Sequence, residues 1–318
     1  MLINIILITI GMILLLKGGD TLVNGASSLA RRKKISELAI GLTIVAFGTS
    51  APEFIISLVA SLDSHPEIAL GNVIGSNLFN LLFILGITAI FMPVAVQKNT
   101  IRFEIPFSLF ATVLLFLLAN FGFIYGRNIL SRIDGAIFLL FFGLFIFYVY
   151  KSMKAEAPED GEAAKPLSLV KSIIFIILGL VMLIAGGRVV VYAAVELALA
   201  LNISEKIISL TIVAIGTSLP ELIISITAMI KKKSDLAIGN IVGSNIFNIL
   251  FILGASSLAR PLVYSPVFNQ DLYLLIFGTF LLFIAMFTGK KRNLDRWEGA
   301  IFVLLYIGYV VFLIMRNE

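Results

Sequence analysis

The sequence has no cysteine and very little charge, and each absence excludes a class of protein. Without cysteine among its 318 residues, the chain has no disulfide, no thiolate metal site and no thiol nucleophile. Only 14% of the residues are charged and 59% are hydrophobic, whereas soluble domains contain about 25% charged residues. The composition therefore predicts a polytopic helical membrane protein with a large lipid-facing surface.

Histidine and catalytic motifs are also nearly absent. The single histidine, His65, lies in the polar connection "SLDSHPE", and one imidazole cannot build a metal site by itself. Zinc, copper and nickel are poor candidates, because they favour His and Cys ligands. The sequence shows no Ser/Lys or Asp/Asp dyad in a catalytic context and no cofactor motif. We therefore expect neither an enzyme nor a bound cofactor.

Ten apolar stretches are long enough to span a membrane, since a helix needs about 17–25 residues to cross the hydrocarbon core. No basic residue precedes the first stretch, which predicts a retained span rather than a cleaved signal peptide. The predicted spans cover residues 2–30, 37–60, 69–92, 104–120, 133–151, 168–199, 205–229, 237–258, 270–288 and 296–315.

Basic residues are distributed unevenly over the connections between these spans. Most of the 24 Lys and Arg residues fall in alternate connections, beginning with "RRKK" at 31–34. Cytoplasmic connections are enriched in Lys and Arg, so we predict that "RRKK" lies inside the cell and both termini outside. The expected location is the cell (plasma) membrane, with the polar segment 152–167 as a flexible cytoplasmic linker.

The two halves of the sequence repeat each other. At a shift of 168 positions, "LTIVAFGTSAPEFIIS" from Leu42 aligns with "LTIVAIGTSLPELIIS" from Leu210. At the same shift, "GNVIGSNLFNLLFILG" from Gly71 aligns with "GNIVGSNIFNILFILG" from Gly239. Ancestral duplication alone explains matched apolar residues, but it does not explain matched polar residues within spans.

The second half is predicted to enter the membrane inverted, because each half holds an odd number of spans. The acidic segment "SLDSHPE" at 61–67 accordingly aligns with the basic segment "MIKKKSD" at 229–235, so matched segments face opposite compartments. Inverted repeats with interrupted helices are typical of membrane transporters, whose sites lie where the repeats meet. We predict a first repeat at 1–151 and a second repeat at 168–318.

Each repeat places a glutamate directly after a proline inside an apolar span. A carboxylate at mid-membrane costs about 2.5–3.5 kcal/mol on insertion scales, so its presence indicates a function. Pro52 and Pro220 lack the N–H that would bond to the preceding turn, and they break the helix. The freed carbonyls are tolerated in a membrane only where something satisfies them. We expect Glu53 and Glu221 to converge at these breaks.

Further oxygen donors accompany the two glutamates. Ca2+ prefers about 6–8 oxygen ligands, usually including carboxylates. Ser76 and Asn80 are four residues apart and share one helical face, and Ser244 and Asn248 repeat this spacing. Hydroxyls at the breaks come from Thr49, Ser50, Thr217 and Ser218. The alternative to ion binding is that the repeated asparagine side chains form hydrogen bonds between helices. This alternative is favoured for Asn72, Asn77, Asn240 and Asn245.

Charges within the long first spans have a simpler interpretation. Asp20 aligns with Arg188, so the two positions are not repeated in charge. This difference favours snorkelling or helix pairing over an ion site. Glu37 and Glu205 each follow a serine, which is typical of helix starts.

These motifs together resemble the sodium/calcium exchangers of the cation/calcium antiporter superfamily, in their prokaryotic form. The resemblance covers nearly the whole chain and includes "GTSAPE" at 48–53, "GTSLPE" at 216–221, "GSNLFN" at 75–80 and "GSNIFN" at 243–248. It implies an all-α fold of ten transmembrane helices in two inverted five-helix repeats. It also implies alternating access, in which the long first spans slide as gates while Na+ entry drives Ca2+ extrusion.

The resemblance also implies the ion ligands. Glu53 and Glu221 would bind both ions, which are substrates rather than cofactors. Asparagine at position 248, where some relatives carry aspartate, resembles the potassium-independent branch. The implied ligand set is Glu53, Glu221, Thr49, Thr217, Ser50, Ser218, Ala46, Ala214, Ser76, Ser244, Asn80 and Asn248.

Other functions remain open on the sequence. An H+/Ca2+ or other divalent-cation antiporter of the same superfamily would use the same glutamates, and sodium-independent, pH-driven calcium flux would identify it. A passive cation channel or Mg2+ carrier would need no counter-ion. An intramembrane enzyme would need motifs that the sequence lacks. The expected partners are Na+, Ca2+ and the lipid bilayer, with no nucleic acid, and the chain is expected to be a monomer.

Overall fold

The described part of the protein is almost entirely helical. The computed structural model describes residues 2–121, 128–152, 166–200 and 214–316. The helices of the first half are α1 (Leu2–Lys33), α2 (Glu37–Thr49), α3 (Ala51–Leu62), α4 (Pro66–Phe91), α5 (Thr100–Phe121) and α6 (Arg132–Ser152). Those of the second half are α7 (Leu169–Ala200), α8 (Ala214–Gly216), α9 (Leu219–Ile230), α10 (Ser234–Ala259), α11 (Pro266–Ala285) and α12 (Arg296–Arg316).

Eight of the described helices are long and apolar enough to cross a membrane, and the bent pair of α2 and α3 makes a ninth span. The predicted all-α, polytopic membrane fold is therefore confirmed. The count of ten is not reached among the described residues, because the predicted span 205–229 begins outside them and contributes only α8 and α9. Most of the predicted linker, residues 153–165, also lies outside the described residues.

Several helices begin before the apolar stretch that predicted them, because their first turns are polar. α4 begins at Pro66, where the missing N–H of proline removes no helical hydrogen bond.

α2 begins after Ser36, whose Oγ accepts a hydrogen bond of 3.1 Å from the backbone N of Ala39. This cap agrees with the helix start predicted at Glu37.

α1 and α7 pack against each other in antiparallel orientation through glycines. A Cβ on Gly11 would lie 2.9 Å from the carbonyl oxygen of Gly186, and a Cβ on Gly18 would lie 3.0 Å from that of Gly179. A side chain at either position would force these backbones apart, as at other close helix crossings in membranes. Each contact is the repeat equivalent of the other, as expected when two halves are related by an inverting pseudo-twofold axis.

Two short antiparallel sheets also join the halves, and neither was predicted. β1 (Val94–Ala95) pairs with β4 (Asn293–Leu294), and β2 (Ile129–Leu130) pairs with β3 (Leu262–Val263). Paired positions include Val94 with Leu294 and Ile129 with Val263. Each sheet takes one strand from each half, so the sheets tie the two repeats together at opposite ends of the molecule.

Burial separates the central helices from those that face lipid. Along their apolar stretches α10 is 94% buried and α4 is 78% buried, whereas α1 is 22% and α12 is 17% buried. α4 and α10 carry the repeated "GSN" motifs, so these motifs lie in the interior of the molecule.

Candidate cation site

One span in each half is interrupted where the sequence places glycine and proline. α2 ends at Thr49 and α3 begins at Ala51 after a bend of 49°. In the second half, α8 ends at Gly216 and α9 begins at Leu219. A proline occupies the first turn of α3 and of α9, where its missing N–H costs nothing. The predicted helix breaks are therefore present in both halves.

Glu53 and Glu221 meet hydroxyls from the opposite half. Each residue is only 1% exposed. Ser218 Oγ donates to Glu53 Oε1 at 3.1 Å, and Ser50 Oγ donates to Glu221 Oε1 at 3.1 Å. The two hydrogen bonds are repeat equivalents, so the breaks from the two halves lie side by side at the centre of the molecule.

The serines of the "GSN" motifs complete this hydroxyl cluster. Ser76 Oγ lies 3.2 Å from Ser218 Oγ. Ser244 Oγ donates to Glu221 Oε1 at 3.5 Å. α10 thus contacts one carboxylate directly, and α4 contacts the serine that donates to the other.

The threonines at the breaks differ in their partners. Thr49 Oγ1 lies 3.3 Å from the carbonyl oxygen of Ala46 and 3.2 Å from Asn240 Oδ1. Thr217 Oγ1 is buried and has no hydrogen-bond partner among the described residues. The carbonyl of Ala46 also accepts from the backbone N of Ser50 at 3.0 Å. Ala214 begins α8, one turn before the second break.

Asn80 and Asn248 lie on wide helical turns and use their amide nitrogens across the interface. Asn80 Nδ2 donates to Asn245 Oδ1 at 3.1 Å, and Asn248 Nδ2 donates to Asn77 Oδ1 at 2.9 Å. Both residues belong to π-helical segments, Phe79–Ile84 and Phe247–Leu253, and such wide turns are frequent at functional sites. The side-chain oxygens Oδ1 of Asn80 and Asn248 receive no hydrogen bond from the described residues.

The site holds buried oxygens that lack partners. Buried polar atoms are normally hydrogen-bonded, because an unsatisfied one costs about 1–3 kcal/mol. Such atoms among the predicted ligands, with no partner in the described ranges, are Glu53 Oε2, Glu221 Oε2, Asn80 Oδ1, Asn248 Oδ1 and Thr217 Oγ1. All are oxygens of the kind that Na+ and Ca2+ bind. Within the described residues no group of three or more His, Cys, Asp or Glu residues could hold a metal ion. Glu53 and Glu221 are therefore the charged residues of this site.

The other repeated asparagines hold helices together, as the alternative interpretation expected. Asn77 Nδ2 donates to the carbonyl of Asn245 at 3.1 Å, and Asn245 Nδ2 donates to the carbonyl of Asn77 at 3.3 Å. Asn72 Nδ2 donates to Ser57 Oγ at 2.8 Å and to the carbonyl of Glu53 at 3.2 Å. Asn72 therefore supports the backbone behind a carboxylate of the site.

Asn240 repeats this support in the second half, where its Nδ2 lies 3.3 Å from Ser225 Oγ and 3.4 Å from the carbonyl of Glu221. The serines in these contacts, Ser57 and Ser225, were not predicted. Their identity at equivalent positions of the repeat is the signal that identifies them.

Comparison with known proteins gives a consistent result over the full length. The family described as "Sodium/calcium exchanger protein" matches residues 3–151 and 171–315. The putative antiporter CaxA of Alkalimonas amylolytica is 39% identical over 97% of this chain and 98% of its own. The sodium/calcium exchanger MaX1 of Methanosarcina acetivorans is 29% identical over 98% of each chain. A solved structure of the sodium-calcium exchanger NCX_Mj, soaked with 10 mM Na+ and zero Ca2+, superposes with a TM-score of 0.84 at 34% identity, covering 98% of both chains.

Proposed function

The chain belongs to the sodium/calcium exchanger family, a family of cation/Ca2+ antiporters, and we propose that it couples Na+ entry to Ca2+ extrusion. The observation that carries the proposal is the pairing of Glu53 with Glu221. Two carboxylates from opposite halves, each 1% exposed, lie beside unpartnered amide and hydroxyl oxygens. This arrangement of buried oxygens suits the binding of dehydrated cations.

Charge balance explains why such a site exchanges ions rather than leaking them. Two facing carboxylates in a low-dielectric interior repel each other, and burial disfavours their charged forms. A Ca2+ ion matches their combined charge, and Na+ ions compete for the same oxygens. The loaded protein then carries less uncompensated charge than the bare one. Reorientation is favoured only with ions bound, which is the requirement for antiport.

We infer a ligand set that is compatible with the same geometry. The glutamates supply the charge, the four serines and two threonines supply hydroxyls, and Asn80 and Asn248 supply amide oxygens. The carbonyls of Ala46 and Ala214, each about one turn before a break, complete the proposed set. Every member comes from one chain, which supports a functional monomer.

The basic ends of several helices support the proposed orientation. The "RRKK" segment at 31–34 and the "KKK" segment at 231–233 lie at the same end of the molecule. Lys233 Nζ forms an ion pair of 2.7 Å with Oε1 of Glu37, which lies shortly after the first of these segments. Under the positive-inside rule this end faces the cytoplasm. Both termini then lie on the extracellular side of the membrane.

Uptake of 45Ca2+ into proteoliposomes tests the coupling when Na+, H+ and K+ gradients are imposed separately. We expect an outward Na+ gradient alone to drive uptake, with no dependence on K+. Uptake driven by a pH gradient without sodium would contradict Na+ coupling and identify an H+/Ca2+ antiporter. Uptake that needs no counter-ion gradient and persists in the Glu221→Gln variant would contradict antiport through this site.

A further inference from the structure

The two halves pack differently against the long helices α1 and α7, although their sequences are equivalent there. A Cβ on Gly19 of α1 would lie 2.9 Å from Ile223 Cγ2 and 2.9 Å from Thr227 Oγ1, so α1 is in close contact with α9. Gly187 of α7 is the repeat equivalent of Gly19. The nearest described atom to a Cβ there is the carbonyl oxygen of Gly216, at 3.8 Å.

A cavity of about 290 Å³ lies where the second of these contacts would form. Its walls include Ile55 of α3 and Gly187 of α7. Ile55 is the repeat equivalent of Ile223, the residue that touches Gly19 on the other side of the molecule. Matching surfaces are therefore closed in one half and separated by a cavity in the other.

An ion pair accompanies the closed contact. Lys231, at the end of α9, lies with its Nζ 2.5 Å from Asp20 Oδ1 on α1. The same Nζ donates to Asn24 Oδ1 at 2.6 Å. The repeat equivalents of Asp20 and Lys231 are Arg188 and Asp63, so the equivalent pair is also of opposite charge, with the signs exchanged.

The backbone supports this equivalence. Asp63 has φ −81° and ψ 6°, and Lys231 has φ −83° and ψ 8°. The next residues, Ser64 and Lys232, both have positive φ, at 70° and 59°. The two helix ends therefore present the charged side chain from the same backbone conformation.

Arg188 and Asp63 are not paired in this structure. Both are exposed, and neither has an ion-pair partner within the part of the chain that the structure describes. Arg188 lines the cavity that separates α7 from α3. An arginine within an apolar span is costly without a partner, so its pairing elsewhere in the transport cycle would be favourable.

We propose that Asp20–Lys231 and Arg188–Asp63 are alternating ion pairs that position α1 and α7 in the two access states. In inverted repeats, exchanging the conformations of the two halves converts each contact into its repeat equivalent. The Asp20–Lys231 pair then opens as α1 leaves α9, and the Arg188–Asp63 pair forms as α7 closes on α3. α1 and α7 move together, because their glycine contacts join them. The inference rests on the proposed antiport only in requiring two access states.

Cysteine cross-linking tests the alternation, because the natural chain has no cysteine to interfere. We expect the Asp20→Cys/Lys231→Cys and Asp63→Cys/Arg188→Cys variants both to cross-link in membranes, using bifunctional thiol reagents of graded length. Each cross-link should stop Ca2+ uptake, and reduction should restore it. Glu196, which is exposed two turns beyond Arg188 on α7, supplies the control pair Asp63→Cys/Glu196→Cys, which should not react. Failure of Asp63→Cys/Arg188→Cys to react where the first pair does would overturn the proposal.

A second measurement separates alternation from simple proximity. Removing the first ion pair by Asp20→Asn should raise the cross-linking rate of Asp63→Cys/Arg188→Cys by about two- to five-fold, the effect of one exposed ion pair on a two-state equilibrium. Arg188→Gln should raise the rate of Asp20→Cys/Lys231→Cys similarly, and Glu196→Gln should change neither. Unchanged rates in both variants would overturn the proposal. The readout needs no Ca2+ flux, so a failure of the proposed function would appear in uptake and not here.

Discussion

The serine–glutamate hydrogen bonds at the centre of the molecule keep the twofold relation between the halves, and the regions on either side of them do not. The hydrogen bonds from Ser50 to Glu221 and from Ser218 to Glu53 are both 3.1 Å long. By contrast, α10 is 94% buried along its apolar stretch and its equivalent α4 only 78%. A site that keeps its symmetry presents the same oxygens to an ion from either side. Access can therefore change while coordination persists.

The difference between the outer regions can be followed to one pair of glycines. A Cβ on Gly243 of α10 would lie 2.9 Å from Ala46 Cβ and 3.0 Å from the carbonyl oxygen of Leu42, so α2 packs directly on α10. At the equivalent Gly75 of α4 nothing in the described ranges lies within 4 Å. Among the described residues Gly243 is therefore packed against a neighbouring helix and Gly75 is not, while Leu210, the repeat equivalent of Leu42, lies outside them.

The largest expected effect comes from breaking the symmetric centre. Glu53→Gln and Glu221→Gln should each lower Na+-driven 45Ca2+ uptake at least about 100-fold, equivalent to about 2.7 kcal/mol, because one remaining carboxylate cannot balance a divalent cation. The two losses should be similar, because both side chains are equally buried. Uptake near the wild-type rate in either variant would contradict the assignment. Glu67→Gln, at an exposed helix start outside the site, is the matched control.

The glycine comparison gives the next largest effect. Gly243→Ala should destabilise the conformation seen here by about 1–3 kcal/mol, the usual cost of overpacking, because its Cβ meets backbone. Gly75→Ala should disfavour the alternate conformation instead. The two substitutions should shift cross-linking of the pair Asp20→Cys/Lys231→Cys in opposite directions, downward for Gly243→Ala and upward for Gly75→Ala. Shifts in the same direction would show that the halves do not exchange conformations.

The symmetric centre could be predicted from sequence, because its causes are local or topological. Pro52 and Pro220 cannot donate a hydrogen bond to the preceding turn, and the odd number of spans predicted for each half would bring the two breaks together from opposite sides. The spacing from Ser76 to Asn80 places both side chains on one helical face. None of these inferences needs knowledge of how the helices pack.

The asymmetric regions could not be predicted from sequence, because the two halves carry the same motifs there. Nothing in "GNVIGSN" or "GNIVGSN" determines which glycine packs against a neighbouring helix. The packing of the whole molecule selects one of the two equivalent arrangements. Asp20 was interpreted as snorkelling or helix pairing, and its partner proved to be Lys231 of the opposite half. The two-residue strands were missed because such short segments leave no periodic pattern.

A smaller effect is expected from changing the charge of the centre without breaking it. Asn248→Asp replaces the Nδ2 that donates to Asn77 Oδ1 at 2.9 Å with an oxygen, and it adds a third carboxylate to the site. Folding should survive a cost of about 1–3 kcal/mol for the lost donor. The Na+ dependence of Ca2+ uptake should change, or a K+ dependence should appear. Unchanged ion selectivity in a folded variant would show that this position does not coordinate ions.

The smallest effect is expected at the ion pair next to the closed contact. Lys233 and Glu37 are 2.7 Å apart, with side chains that are 31% and 13% exposed. Glu37→Gln should therefore lower the stability of the closed arrangement by about 0.2–1 kcal/mol, the range for pairs near the surface. A modest rise in the cross-linking rate of Asp63→Cys/Arg188→Cys would report this loss. The rise should be smaller at high salt, because screening weakens the ion pair in the unsubstituted chain as well. A rise that is as large at high salt would mean that Glu37 acts through the cap of α2 rather than through its charge.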